Sequence, residues 1–324
     1  MHIQQQTLAE PVICYGMGVH SGKKVKLRIL PAPVNHGIQF IRSDQPDCPK
    51  IPARFSNVID TSLATVIGHE GCIISTIEHL MAAFSGLSID NALVELDNYE
   101  LPIMDGSAAR FTEKILSAGI TVQPGPKCFF VVRKPIKVED GDKSVAVYPF
   151  ANYRITCSID FPHPLIGQQS YTIDVSPASF SGEISGARTF GFFHEVEYMK
   201  KMGLARGGSL ENAVVVGKDE IMNEGGLRFP DEFVRHKVLD CIGDFSLIGL
   251  PILGHVVANR SGHAFNHAFL EEFFRRKDAW ETLTLRENSR FAETCRTGIC
   301  TDRTGGRENL VREPRSYIPG ALAV

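Results

Sequence analysis

The chain has 324 residues, 43% of them hydrophobic and 22% charged. That balance fits a folded protein of about two domains, at roughly 100–200 residues each, and excludes a disordered chain or an isolated small motif. Lys and Arg number 34 against 37 Asp and Glu, a formal charge of -3; this excludes a global nucleic-acid footprint, so any anionic ligand must meet a local cluster of cations.

The longest apolar tract, residues 245–258, falls short of the roughly 20 residues that span a bilayer and carries Gly249, Pro251, Gly254 and His255. The opening MHIQQQTLAEP has no export pattern, so the expectation is a cytoplasmic protein without stable membrane insertion. The eight cysteines form no C-x-x-C pair and sit in segments such as VICYG and KCFFV, which suits buried thiols in a reducing compartment. Cys295 and Cys300 lie in a polar tail at a weak metal spacing.

In chain order, residues 12–122 alternate short β-type runs (VKLRILP, GIQFI, ATVIG, NALVELD) with two helical stretches. The first helix, over 75–86, places Ile77, Leu80, Met81 and Phe84 at i, i+3, i+4 and i+7, with Ser75 as N-cap and Gly86 past its end. In PIMDGSA (102–108), Asp105-Gly106 turns the chain and Ser107 caps a second helix carrying Phe111, Ile115 and Leu116, ended by Gly119. QPGPK (123–127) breaks the pattern and marks the domain boundary. Strand-type runs CFFVVRKPIKV, SVAVYPF and YRITCSID follow around the EDGDK turn, and helical patterns come after them. Strands and then helices, occurring twice, predict an α+β fold of two similarly built domains, 1–123 and 127–283, each layering helices against a β-sheet. Residues 284–324 lose periodicity and accumulate Arg, Thr, Gly and Pro, as in an extended or disordered tail.

Three segments carry candidate chemistry. On the first helix, at about 100° per residue, His79 lies nearly opposite the apolar stripe, beside Ala82 and Ala83, whose small side chains let another element approach. Glu78 is evenly balanced between catalysis and a Ser75-x-x-Glu78 capping box. A later helix, over 230–245, has Val234, Val238, Cys241, Ile242 and Phe245 as its stripe, Asp231 as a cap, and His236, Lys237, Asp240 and Asp244 on the opposite face. Asp240 and Asp244 are like charges at i, i+4, a cost of a few tenths of a kcal/mol unless a cation sits there. His236 and Asp240 share the same spacing and could present a nitrogen and an oxygen to one metal ion. In RSGHAFNHAF (260–269), His263 and His267 offer a competing i, i+4 pair. The spacing alone leaves both pairs open, with 236/240 modestly ahead.

GMGVHSGKKV (16–25), LPAP (30–33), STIEHL (75–80), GLSIDN (86–91), PIMDGSA, EDGDK (139–143), ARTFGF (187–192), FVRHKVLDCIGD (233–244) and SGHAFNH (261–267) together resemble the UDP-3-O-acyl-N-acetylglucosamine deacetylase family, over about residues 7–283. These are zinc amidases that commit bacteria to lipid A synthesis. The resemblance implies two α+β domains with the active site between them. It further implies His79, His236 and Asp240 as ligands of Zn²⁺, with Fe²⁺ as the alternative ion, and Glu78 as general base toward the attacking water. Thr189 and Lys237 would meet the oxyanion, His263, oriented by Asp244, would supply positive charge, and either His263 or Glu78 would deliver the proton to the leaving amine. Similarity also suggests Phe161 against the nucleotide base, and Lys143, Lys237 and Arg260 toward the diphosphate and sugar. The acyl chain would follow Phe190 and the stretch Phe192, Phe193, Val196, Met199, Met202 and Leu204, where core packing is the alternative. His20 reads as a turn-stabilising residue and His267 as a helix-surface histidine.

The implied activity is hydrolysis of the N-acetyl group of an acylated UDP-amino sugar, by a monomer with a small-molecule substrate and no nucleic-acid partner. One alternative is a zinc amidohydrolase acting on another N-acylated sugar. The other is a noncatalytic nucleotide-sugar sensor with structural zinc, which would need four protein ligands.

Overall fold

The computed structural model describes residues 3–284; the tail expected over 284–324 lies outside them beyond Thr284. In chain order the first half comprises β1 (Gln4–Leu8), β2 (Val12–Met17), β3 (Lys24–Pro31), β4 (Ile38–Arg42), β5 (Ile51–Pro52), β6 (Val58–Asp60), β7 (Val66–His69), β8 (Cys72–Ile74), α1 (Glu78–Gly86), β9 (Ala92–Leu96), α2 (Ala109–Ala118) and β10 (Ile120–Pro126). The second comprises β11 (Cys128–Val132), β12 (Ile136–Asp140), β13 (Lys143–Tyr148), β14 (Tyr153–Phe161), β15 (Gly167–Asp174), the single turn α3 (Pro177–Ser179), β16 (Phe190–Phe192), α4 (Phe193–Lys201), β17 (Val214–Val216), α5 (Glu232–Ser246), β18 (Ile252–Asn259), α6 (His263–Arg275) and β19 (Trp280–Thr284).

The fold is α+β, and a strand insertion recurs in it. β9, entered after α1, lies between β3 as an antiparallel neighbour and β4 as a parallel one. β18, entered after α5, lies between antiparallel β13 and parallel β14. The alternation that marks half-buried strands explains their faces: Val25, Leu27 and Ile29 of β3 and Ala92, Val94 and Leu96 of β9 point into the core, while Ile13 and Tyr15 of β2 face solvent. One contiguous apolar cluster holds Phe40, Phe84 and Phe111 from the first half and Phe180, Phe233, Phe245, Phe269 and Phe273 from the second.

α1 packs directly on α5. Gly243 permits this, because a Cβ there would overlap the main-chain carbonyl oxygen of Glu78. The close crossing brings the polar faces of both helices together inside the molecule.

Two local expectations are corrected, and one alternative is weakened. QPGPK is not a break: residues 120–126 form β10, paired antiparallel with β1, and the buried Gln123 amide binds Asn91 and the Ala32 carbonyl. Cys48 and Cys72 are paired in a disulfide rather than free, whereas Cys14, Cys157 and Cys241 are buried thiols as expected. α4 has no buried residue, and Phe193, Tyr198 and Met202 at its ends and outer face are exposed, so ordinary core packing does not account for its apolar residues. Among the described residues no helix is long and apolar enough to cross a membrane.

Candidate active site between helices α1 and α5

The start of α1 is set by main-chain bonds instead of a capping box. Ser75 N–H is already donated to the Tyr99 carbonyl (2.7 Å), Thr76 takes a positive φ of 62°, and Ile77 precedes the helix without a side-chain cap. The amide that a capping-box glutamate would reach is therefore occupied. The Glu78 carboxylate, 4% exposed, instead accepts the Thr65 N–H at 3.1 Å. Burial pushes its carboxyl up to about 7 against the opposing pull of the nearby His263 cation. Asp231 likewise does not cap α5; its carboxylate takes the Arg235 guanidinium at 2.5 Å.

His79 enters from α1 and His236 from α5, their rings 5.1 Å apart and nearly perpendicular at 87°. Asp240, one turn beyond His236, places Oδ1 3.4 Å from His236 Nε2 and 3.9 Å from His79 Nε2. One donor atom from each of the three lies within 4.8 Å of the others. Asp240 Oδ2 accepts Lys237 Nζ at 2.9 Å, whereas Oδ1 is buried with no hydrogen-bond partner. The Ala187 carbonyl lies 3.1 Å from His236 Nδ1; a carbonyl can only accept, so the proton belongs on Nδ1 and Nε2 presents its lone pair inward.

Electrostatics agree with a cation between these groups. Burial holds the His79 imidazole down to about 3 and lowers His236 as well, keeping both in the neutral, ligating form. Burial alone would raise Asp240, but His236 and Lys237 outweigh it and hold the carboxyl well below its usual range. An orphaned buried carboxylate oxygen facing two imidazole nitrogens, one of them with its lone pair inward, is costly unless a positive ion fills the gap. Two nitrogens and one oxygen fit a divalent metal with an open position.

A second polar cluster adjoins the first. Asp244 Oδ2 accepts from His263 Nδ1 and from Asn266 Nδ2, both at 2.8 Å, and Oδ1 accepts the Thr65 hydroxyl at 2.6 Å. Burial would lower His263, but the Asp244 charge and hydrogen bond prevail and raise it to about 10, so the ring is an imidazolium at neutral pH. Lys237 is raised despite its burial, chiefly by Asp240.

Thr189 is half-buried two residues beyond Ala187, its N–H donated to the Gly106 carbonyl at 2.7 Å. Next to it, the Phe190 ring lies 6.3 Å from the His236 ring, 5.7 Å from Phe161 and 5.9 Å from Lys237 Nζ. Arg260 binds Asp142 at 2.7 Å and lies 3.5 Å from Asp160. It lines an open groove of about 430 Å³ with Ser158, Gln168, Gln169 and Asn259. Lys143 is exposed beside Asp142.

The competing pair separates: His263 joins Asp244, while His267 faces Glu271 at 3.8 Å and neither belongs to the group of three. His20 supports its turn through its main chain, since Glu100 accepts the N–H groups of His20 and Ser21, each at 2.8 Å. Thr65, Asn266 and the Ala187 carbonyl were not anticipated. Thr65 lies in ATVIG, legible only as a β-type run, and a carbonyl leaves no mark on a sequence.

Metal donors beside a carboxylate and an imidazolium define a hydrolytic metalloenzyme. Residues 5–275 match the family model for LpxC, UDP-3-O-acyl N-acetylglycosamine deacetylase. The UDP-3-O-acyl-N-acetylglucosamine deacetylase of Myxococcus xanthus is 51% identical over 282 residues, 87% of this chain and 90% of that protein. Those of Saccharophagus degradans and Teredinibacter turnerae are 48% and 50% identical, each covering 88% of this chain and 95% of the relative. The chain therefore belongs to the UDP-3-O-acyl N-acetylglycosamine deacetylase family of hydrolases.

Proposed function

We propose that the protein hydrolyses the N-acetyl group of UDP-3-O-acyl-N-acetylglucosamine, the step that commits the sugar nucleotide to lipid A, with Zn²⁺ held by His79, His236 and Asp240. The observation that carries this reading is the partnerless buried Asp240 Oδ1 facing two imidazole nitrogens. A zinc ion bound there supplies Lewis-acid chemistry at the amide carbonyl.

The chain's own groups divide the remaining work. Glu78, raised by burial yet ionisable near neutrality, takes a proton from the attacking water. Thr189 and Lys237 donate to the oxyanion that forms as water adds to the carbonyl carbon. His263, an imidazolium oriented by Asp244, gives its proton to the nitrogen as the C–N bond breaks. The products are acetate and a free 2-amino sugar nucleotide.

Phe161 stacks on the uracil, and Arg260 and Lys143 line the approach of the diphosphate. Phe190 and α4 guide the acyl chain; the exposed apolar residues of α4 support this part. The recurring strand insertion of β9 and β18 supports two similarly built domains, 1–123 and 127–283, with the site between them. Residues 79, 236 and 240 are the one such donor group among the described residues, which favours an open catalytic position over a four-ligand structural zinc.

Acetate release from acylated and deacylated UDP-N-acetylglucosamine tests the reading. The account expects turnover of the acylated compound at least 100-fold above that of the deacylated one. Equal turnover of both would contradict the substrate assignment and favour another N-acylated sugar.

A further inference from the structure

The segment 187–189 supplies two parts of the proposed site: the Ala187 carbonyl that orients His236, and Thr189. It is gripped from two sides. The Glu232 carboxylate, in the first turn of α5 and 0% exposed, accepts the Arg188 main-chain N–H (2.9 Å), Arg188 Nε (2.8 Å) and Nη2 (3.1 Å), and the Arg228 main-chain N–H (2.6 Å). Arg228 extends the grip to PIMDGSA, its Nη1 donating to Asp105 Oδ2 at 2.8 Å and to the Gly186 carbonyl at 3.0 Å. From the same turn, the Gly106 carbonyl takes the Thr189 N–H at 2.7 Å.

Stability alone is a poor reason for this arrangement, since a buried ion pair roughly breaks even against an apolar pair of similar size. Nor is Glu232 capping its own helix, because every donor to its carboxylate comes from residue 188 or 228. Four donors on one immobile carboxylate instead fix the path of the chain on both sides of it.

We propose that Glu232 is a positioning residue: clamping Arg188, and tied through Arg228 to Asp105, it holds the Ala187 carbonyl against His236 Nδ1 and Thr189 toward the reacting amide. The half of the inference that concerns Thr189 rests on the deacetylase reading above; the half that concerns His236 does not.

Glu232→Gln keeps the size of the side chain but turns an NH₂ group toward one of the converging donors. The metal-free variant, its folding verified by circular dichroism, is titrated with zinc against a chromophoric chelator, and kcat and KM are measured separately on the zinc-loaded enzyme. Zinc affinity is expected to fall by about 10-fold or more, as on losing an outer-shell partner, and kcat by about 10–100-fold with KM within about twofold, as on misplacing a catalytic group. Asp105→Asn, at the partly exposed end of the chain of contacts, is expected to lower kcat several-fold while leaving zinc affinity and KM near the parent's.

A folded Glu232→Gln with parental zinc affinity and kcat, or with a change confined to melting temperature or KM, overturns the proposal. If Glu232→Gln does not fold, an unchanged kcat in Asp105→Asn overturns it. If the parent releases no acetate, the deacetylase reading fails and the zinc titration alone decides whether Glu232 positions His236.

Discussion

The backbone of Gly243 lies against the main-chain carbonyl of Glu78, so closely that any added Cβ would overlap that oxygen. The contact sets the spacing of α1 and α5, and with it the distance from His79 on one helix to His236 and Asp240 on the other. Gly243→Ala is expected to push the helices apart, costing about 1–3 kcal/mol of stability through overpacking and weakening zinc binding by about 10-fold or more. Denaturant unfolding and a zinc titration measure both. Parental zinc affinity in the alanine variant would mean that the close crossing does not set the metal site.

The pH dependence of activity should carry the signature of His263. Its imidazolium is raised to about 10, so its contribution to folding is fully present below the unfolded value of about 6.5 and is lost as pH rises through about 10. If the imidazolium is the proton donor, kcat holds through neutrality and falls on the alkaline side. Asp244→Asn removes the principal support of that charge; the alkaline limb is expected to move toward neutrality and kcat at pH 8 to fall by about 100-fold, within the range for losing a general acid. An alkaline limb in the same place for both proteins would remove His263 from the mechanism.

Thr65 joins the two polar clusters, its N–H on Glu78 and its hydroxyl on Asp244. Thr65→Val keeps the shape and the main-chain bond but leaves Asp244 Oδ1 short of a donor, for a loss of about 1–3 kcal/mol. Differential scanning calorimetry should register a lower Tm. Turnover should fall less than in Glu78→Gln, because the general base keeps its own hydrogen bond.

How much of this was legible in the sequence depended on whether the signal was periodic. The stripes Ile77, Leu80, Met81, Phe84 and Val234, Val238, Cys241, Ile242 placed two helices, and their polar faces then offered His79 on one and His236, Lys237, Asp240 and Asp244 on the other as candidates. Which i, i+4 pair met His79 was not settled by spacing, which put 236/240 only modestly ahead of His263 and His267; the family resemblance separated them. Ser75 misled as an N-cap, and Glu78 stayed evenly balanced, because a capping box is a local rule and the Ser75 amide is taken by Tyr99, 24 residues away and invisible to local reading. QPGPK misled for a related reason: Pro and Gly are tolerated where β10 pairs with β1 alone. Thr65, Asn266 and the Ala187 carbonyl act through partners far along the chain, and no residue-type pattern announces such contacts.

The most direct test of the central claim measures zinc content and acetate release together in the parent, Asp240→Ala and Glu78→Gln. The account predicts about one zinc per chain and acetate release for the parent, loss of metal and activity in Asp240→Ala, and retained metal in Glu78→Gln with turnover down by about 100-fold or more. Zinc retained in Asp240→Ala but lost in His267→Ala, or full activity in Glu78→Gln, would contradict it and move the site away from the α1–α5 crossing.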